Sequence, residues 1–151
     1  MKDATLCYLF KDGKVLLQKK AEGKFGGGKW NAPGGKIKSM ETPVKAAIRE
    51  VAEETGLKVE KVQPAGVLQF FDEGGHVFLV HVFRSDRFSG EPRPSREGEL
   101  QWFPATRLPL EEMWEDDRYW LPALLEGKPF RGSFLFTKGF KSLVKHEVVT
   151  A

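Results

Sequence analysis

An α/β fold, with a mixed β-sheet sandwiched between helices as α/β/α layers, follows from three features of this 151-residue chain. Short runs rich in β-branched and aromatic residues lie between Gly, Pro and Asp turn signals, as strands do. Two stretches carry helix start and stop signals. No repeat, low-complexity tract or linker interrupts them, so strands and helices belong to one layered domain spanning residues 1–151.

The elements follow in order. "ATLCYLF" and "KVLLQKK" are strands around the Asp12-Gly13 turn, so Thr5 to Phe10 and Val15 to Lys19 form a hairpin. "AEGKFGGGKW" is a Gly-rich loop, equally suited to a plain surface connection or to wrapping a ligand. "NAPGGKI" leads into a short strand ending near Ile37. A helix runs from Pro43 to Thr55: Thr42 can cap it, Pro43 suits its first turn and Gly56 its left-handed exit. Val44, Ala47, Ile48 and Val51 form its apolar face. Val67 to Phe71 and His76 to Arg84 are strands around "DEGG", and "LQWF" is a short strand after the Pro/Gly/Ser loop "FSGEPRPSREGE". "WEDDRYWLPALLEG" is a second helix closed by Gly127, with Pro122 requiring it to start late or bend. "FRGSFLF" and "SLVKHEVV" form a last hairpin.

Composition sets limits on function. The chain is 40% hydrophobic and 30% charged, as soluble globular domains are, and no run approaches the length of a membrane helix. "MKDATLCYLF" lacks signal-peptide features, so the expected location is the cytoplasm. Cys7, the lone cysteine, cannot form an internal disulfide and is expected to be a buried small hydrophobe. The net charge of +3 is dispersed, which excludes the basic signature of stable nucleic-acid binding while leaving single lysines free to meet an anionic substrate. A monomer without membrane attachment is expected.

"REVAEETGL" poses a chemical question. At about 100° per residue, Glu50, Glu53 and Glu54 fall within an arc roughly 100° wide, where like charges repel by a few tenths of a kcal/mol per pair. Three carboxylates on one face suit a hard divalent cation such as Mg²⁺, which takes oxygen ligands together with water and substrate phosphates. A solvated acidic face is the alternative.

The surrounding segment, "GGKIKSMETPVKAAIREVAEETGL", resembles the Nudix box, Gly-x5-Glu-x7-Arg-Glu-U-x-Glu-Glu-x-Gly-U with U an aliphatic residue. It matches at Gly35, Glu41, Arg49, Glu50, Val51, Glu53, Glu54, Gly56 and Leu57. The resemblance implies the Nudix α/β/α sandwich, a loop-helix-loop that carries the metal site, and divalent-metal-dependent cleavage of a diphosphate linked to another moiety. It implies Glu50, Glu53 and Glu54 as metal ligands, Glu54 foremost, with Glu50 and Glu53 sharing the role of base. The Gly34 carbonyl joins the coordination, Arg49 orients the carboxylates through its planar fork, and Glu41 holds the loop against the helix. A later carboxylate completes the site, Glu97 first and Glu99 second. Lys20 and Lys36 are placed to meet phosphates. Mg²⁺ is the expected cofactor and Mn²⁺ a possible substitute.

"GGGKWNAPGGK", "EEMWEDDRYWLP" and the final "F-x-G-x-F-x-F" at Phe130 to Phe136 are similar to the MutT-related Nudix enzymes that sanitise oxidised purine nucleoside triphosphates. That resemblance implies hydrolysis of 8-oxo-dGTP or a related oxidised purine nucleotide to the monophosphate and pyrophosphate. Physically, Trp114 can stack on a purine, and stacking is worth about 1–3 kcal/mol per base. Asp116 and Asp117 can read its edge, because paired carboxyls push one pKa upward and leave one acid able to donate. Alternatively they cap the second helix. Asn31 offers a donor and an acceptor to the opposite edge, Phe25 covers the pocket and Thr5 lines its floor. Tyr119 and Trp120 are expected in the core. Ala32 and Pro33 depart from the mammalian pattern. Rival readings are a Nudix hydrolase of ADP-ribose, a dinucleotide or capped RNA, and a non-catalytic nucleotide sensor.

Overall fold

The computed structural model describes residues 2–150. Lys2–Lys11 (β1) and Lys14–Lys20 (β2) pair antiparallel across Asp12-Gly13, with Phe10 opposite Val15. Both turn residues have positive φ, 53° and 75°, the backbone of a type I′ hairpin whose twist matches its strands. Successive side chains point to opposite faces, and both faces here are covered. Tyr8, Val15 and Leu17 enter one hydrophobic cluster, while Cys7, Leu9 and Leu16 enter another. Burial on both sides explains why these strands read as unbroken apolar runs. Cys7 is fully buried, and burial pushes its thiol up to about 12.

β1 is the hub of the sheet. It runs parallel to Val77–Ser89 (β6) along one edge, and antiparallel to Gly34–Lys36 (β4) near its start and to β2 at its end. Trp30–Asn31 (β3) and Gly98–Pro104 (β7) flank β2. Lys58–Asp72 (β5) lies between β6 and Phe130–Phe136 (β8), and Leu143–Thr150 (β9) forms the far edge. The helix Pro43–Thr55 (α1) covers one face through Ala47 and Val51, and the helix Asp117–Leu125 (α2) covers the other through Trp120, Leu121 and Leu124. Burying Val51 and Leu57, roughly 1.5–3 kcal/mol each, fixes the C-terminal end of α1, where Glu54 sits. At the other end of α1, the Thr42 hydroxyl accepts the Lys45 N–H at 3.2 Å.

Several expectations need correction. β5 begins nine residues before Val67, and β6 continues five residues past Arg84 to Ser89. Register shifts between Val59 and Lys61, Lys61 and Gln63, and Pro64 and Gly66 break the alternation that would have marked the early part of β5. Val44 is 41% exposed. The buried stripe of α1 instead runs from Ala46 and Ala47 through Val51 to Glu54 and Thr55, so the helix approaches the sheet through its small residues and carries one acid inward. α2 starts late, at Asp117, yet Pro122 still falls inside it, leaving the Arg118 carbonyl without its helical donor. Trp120 is fully buried, but Tyr119 is 43% exposed and stacks on His146 at 3.8 Å between ring centroids. Adjacent helical residues diverge by about 100°, so only one of the two rings can face the core.

Candidate active site

The cleft that collects these residues has a volume of about 670 Å³. Its acidic side is built by α1 against the β4 backbone. Glu54 is 3% exposed; burial, aided by a hydrogen bond that the protonated acid donates to Glu50 and by the Glu50 charge, pushes its carboxyl up to about 9. The Gly34 N–H reaches Glu54 Oε1 at 3.5 Å. Two glycines allow this approach: a Cβ on Gly34 would lie 1.9 Å from the Thr5 carbonyl oxygen, and one on Gly35 would lie 2.6 Å from the Glu50 carboxyl carbon. No side chain fits either position.

Arg49 holds the acids from behind. Its Nε and Nη2 donate to Glu41 at 2.7 and 2.9 Å, its Nη1 to Glu50 at 2.7 Å and to Glu53 at 3.3 Å, and Nη2 also reaches the Lys36 carbonyl at 3.1 Å. The Arg49 guanidinium and the Lys38 N–H pull the Glu41 carboxyl down to about 2. Arg49 therefore contacts carboxylates and backbone and does not line the cleft, while Glu41 ties the loop to the helix. Glu50, Glu54, Gly34 and Lys36 line the cleft, whereas Glu53, 54% exposed, is drawn aside by Arg49. Glu97 also lines it, with its oxygens held by Lys20 at 3.2 Å and Lys24 at 3.3 Å. Glu99 lies on β7 outside the cleft.

Among the described residues, no three Asp, Glu, His or Cys side chains are gathered as a ready cation cage. The donors nonetheless fit a hard divalent cation. Glu50 and Glu54 are carboxyls close enough to share a hydrogen bond, and a cation can take the place of the proton that Glu54 holds near neutral pH.

Aromatic rings and a second pair of acids line the same cleft. Phe25 stands 5.2 Å from Trp114, 6.3 Å from Phe78 and 5.9 Å from Phe140, measured between ring centroids. Although it is 62% exposed, it overhangs the opening. Asp116 and Asp117 are 3% and 2% exposed. Asp116 makes no helix-cap bond; instead it accepts the Trp120 Nε1–H at 2.8 Å. Burial pushes Asp116 up to about 6, and burial together with the Asp116 charge pushes Asp117 well above the carboxylate range. The outcome is a neutral acid beside a titrating one. Asn31 Oδ1 accepts its neighbour Ala32 N–H at 2.8 Å and lies 3.5 Å from the Tyr8 hydroxyl. Buried Thr5 lines the cleft, and Ala32, at the departure from the mammalian pattern, lines it too.

Some lining residues were not expected from the sequence. Gln18 follows the apolar run of β2 as the first of three polar residues, an ordinary strand end that gave no signal. Lys29, whose ammonium sits 5.4 Å from the Trp114 ring, and Phe78 and Phe140 carried no local signal, whereas Phe136 closes the F-x-G-x-F-x-F run. Phe140 is a non-glycine residue at φ 58°, a strained conformation for a bulky side chain. Its turn is held by buried Asp72, which accepts the Gly139 and His76 N–H groups, each at 2.8 Å.

The NUDIX domain family matches residues 1–124, and the chain belongs to that family. It is 41% identical to the oxidized purine nucleoside triphosphate hydrolase of Danio rerio over 145 residues, covering 95% of this chain and 92% of that protein. It is 40% identical to the mouse (Mus musculus) protein of the same name over 133 residues, covering 87% and 85%. Among solved structures, the MutT protein of Bacillus halodurans superposes with a TM-score of 0.85 at 28% identity, covering 98% of this chain and 97% of that one. The chain is thus a Nudix hydrolase, a class that works with divalent cations.

Proposed function

We propose that this Nudix hydrolase is a nucleoside triphosphate pyrophosphohydrolase acting on oxidised purine nucleotides such as 8-oxo-dGTP, with Mg²⁺ as its cation and Mn²⁺ as a substitute. It releases the monophosphate and pyrophosphate and so removes damaged precursors from the nucleotide pool. The observation that carries this reading is that one cleft joins the Glu50–Glu54 corner to a buried acid pair beside Trp114 and Phe25. The names of the relatives at 40–41% identity point the same way.

The purine packs on Trp114 in the cleft that Phe25 overhangs. Protonated Asp117, the donor to Asp116 in the free protein, turns its O–H to a base acceptor, and Asp116 accepts from ring or amino N–H groups once ionised. Asn31 serves another edge. Glu54, Glu50 and the Gly34 carbonyl would hold the cation, with Glu97 the further ligand and Glu53 able to join by releasing Arg49. The bound cation supplies charge neutralisation for the phosphates and acidifies water. Water attacks a phosphorus of the chain, one P–O bond forms as the α–β bridge breaks, and Glu50 takes the proton while Lys20 and Lys36 stabilise the oxygens. Glu50 suits the base role better than Glu53 because it faces the cleft.

The test is steady-state hydrolysis of 8-oxo-dGTP, dGTP, ADP-ribose and capped RNA with Mg²⁺. A kcat/KM for 8-oxo-dGTP well above the other three is expected. No preference overturns the substrate, and no turnover at all favours a sensor.

A further inference from the structure

Gln18 is a buried polar residue with an unmet need. It is 2% exposed and lines the cleft, and its Nε2 has no hydrogen-bond partner among the described residues. Buried amide donors are nearly always paired, because leaving one unpaired forfeits its hydration without return. A side chain serving only the fold would have its partner within the fold. An unpaired donor facing a cleft has the partner that fills the cleft.

The sheet register places that partner. Gln18 sits directly opposite Asn31 in the β2–β3 pair. Asn31 belongs to the base-reading side: it lies 3.5 Å from the Tyr8 hydroxyl, and Tyr8 packs against Trp120, the donor to Asp116. Two residues further along the same face of β2 is Lys20, which pairs with Glu97 on the phosphate side. Two strand residues span about 6.6 Å, so the Gln18 amide lies between Asn31 beside it and Lys20 further along the strand.

We propose that Gln18 is a further substrate-positioning residue, donating its Nε2–H to an oxygen at the junction of sugar and α-phosphate. The proposal rests on the nucleotide reading above and adds the part of the substrate that neither the acid pair nor the glutamates touch. By holding this junction, Gln18 aligns the scissile bridge with Glu50 and makes recognition of the base productive.

The test compares Gln18→Met, Gln18→Glu and wild type. Met removes the unpaired donor at similar volume, so the free protein should unfold at the same temperature or higher. Its KM for 8-oxo-dGTP should nonetheless rise about ten- to a hundred-fold, the range for losing a hydrogen bond to a charged group. Gln18→Glu, an acceptor of similar shape, should be worse than Met. Calorimetry with 8-oxo-dGMP and with 8-oxo-deoxyguanosine locates the acceptor: a Met penalty kept by the nucleoside assigns the sugar, and one lost with the phosphate assigns the α-phosphate. A lower melting temperature with unchanged KM and affinity would make Gln18 structural and overturn the proposal while leaving the substrate reading intact. If wild type prefers dGTP or ADP-ribose, the oxidised-purine reading fails and the same variants are scored on that substrate, which shares the junction. Failure of the wild type to bind or cleave any of these nucleotides overturns both.

Discussion

Substituting Asp117→Asn isolates the buried acid on which base reading depends. Asp117 Oδ2 has no partner and its carboxyl is raised well above 3.8 by burial and by Asp116. While the folded state holds this proton and the unfolded state does not, stability falls by about 1.36 kcal/mol per pH unit. The sign follows from the direction of the shift: a raised folded-state pKa means stability fully present below pH 3.8 and lost as pH climbs toward the folded pKa. Asp116 adds a similar loss up to about 6, common to both proteins. Above that, only Asp117 differs, because an amide resembles the protonated acid, keeps a donor for Asp116 and does not titrate. For each pH unit above about 6.5 through which Asp117 keeps its proton, the variant should gain about 1.4 kcal/mol relative to wild type. At about 1–3 kcal/mol per molar urea, the midpoints of urea unfolding should diverge by about 0.5–1 M per pH unit. They become parallel again once the pH passes the folded pKa of Asp117. Midpoints that move in parallel from pH 6.5 upward would mean that Asp117 is ionised, and a donating carboxyl in the base pocket would be ruled out.

Other outcomes follow from the same geometry. Glu54→Gln should lower kcat by at least about 10² while 8-oxo-dGMP binding, read by calorimetry, stays within a few-fold, in keeping with typical losses of catalytic groups. Gly35→Ala places a methyl 2.6 Å from the Glu50 carboxyl carbon; kcat, read by steady-state hydrolysis of 8-oxo-dGTP, should fall tenfold or more. Phe140→Ala removes a ring that closes on Phe25 and Phe78. An aromatic contact is worth about 0.5–1.5 kcal/mol, so KM should rise about three- to tenfold with kcat little changed.

The acids of α1 were legible because they are neighbours in sequence. A helix repeats every 3.6 residues, so Arg49, Glu50, Glu53 and Glu54 disclose a common face, and Thr42 and Gly56 disclose its ends. Even there the local pattern was incomplete: it made the three glutamates equivalent, whereas packing buries Glu54, leaves Glu50 at the cleft and lets Arg49 draw Glu53 outward. The early half of β5 was hidden by its bulges, and Tyr119 was misplaced because a helix wheel cannot say which of two adjacent rings meets the sheet.

The chain alone determined the class of chemistry, through residues whose spacing is set by one helix, and the two-faced burial of its central strands, through unbroken apolar runs. Tertiary structure decided what the cleft can recognise. Gln18 on β2, Asn31 on β3, Phe78 on β6, Asp117 on α2 and Phe140 beyond β8 are far apart in sequence and converge only when β1 joins both parts of the sheet. It also decided which acids keep their protons, because desolvation depends on every atom that excludes water from a carboxyl, and those atoms come from all over the fold.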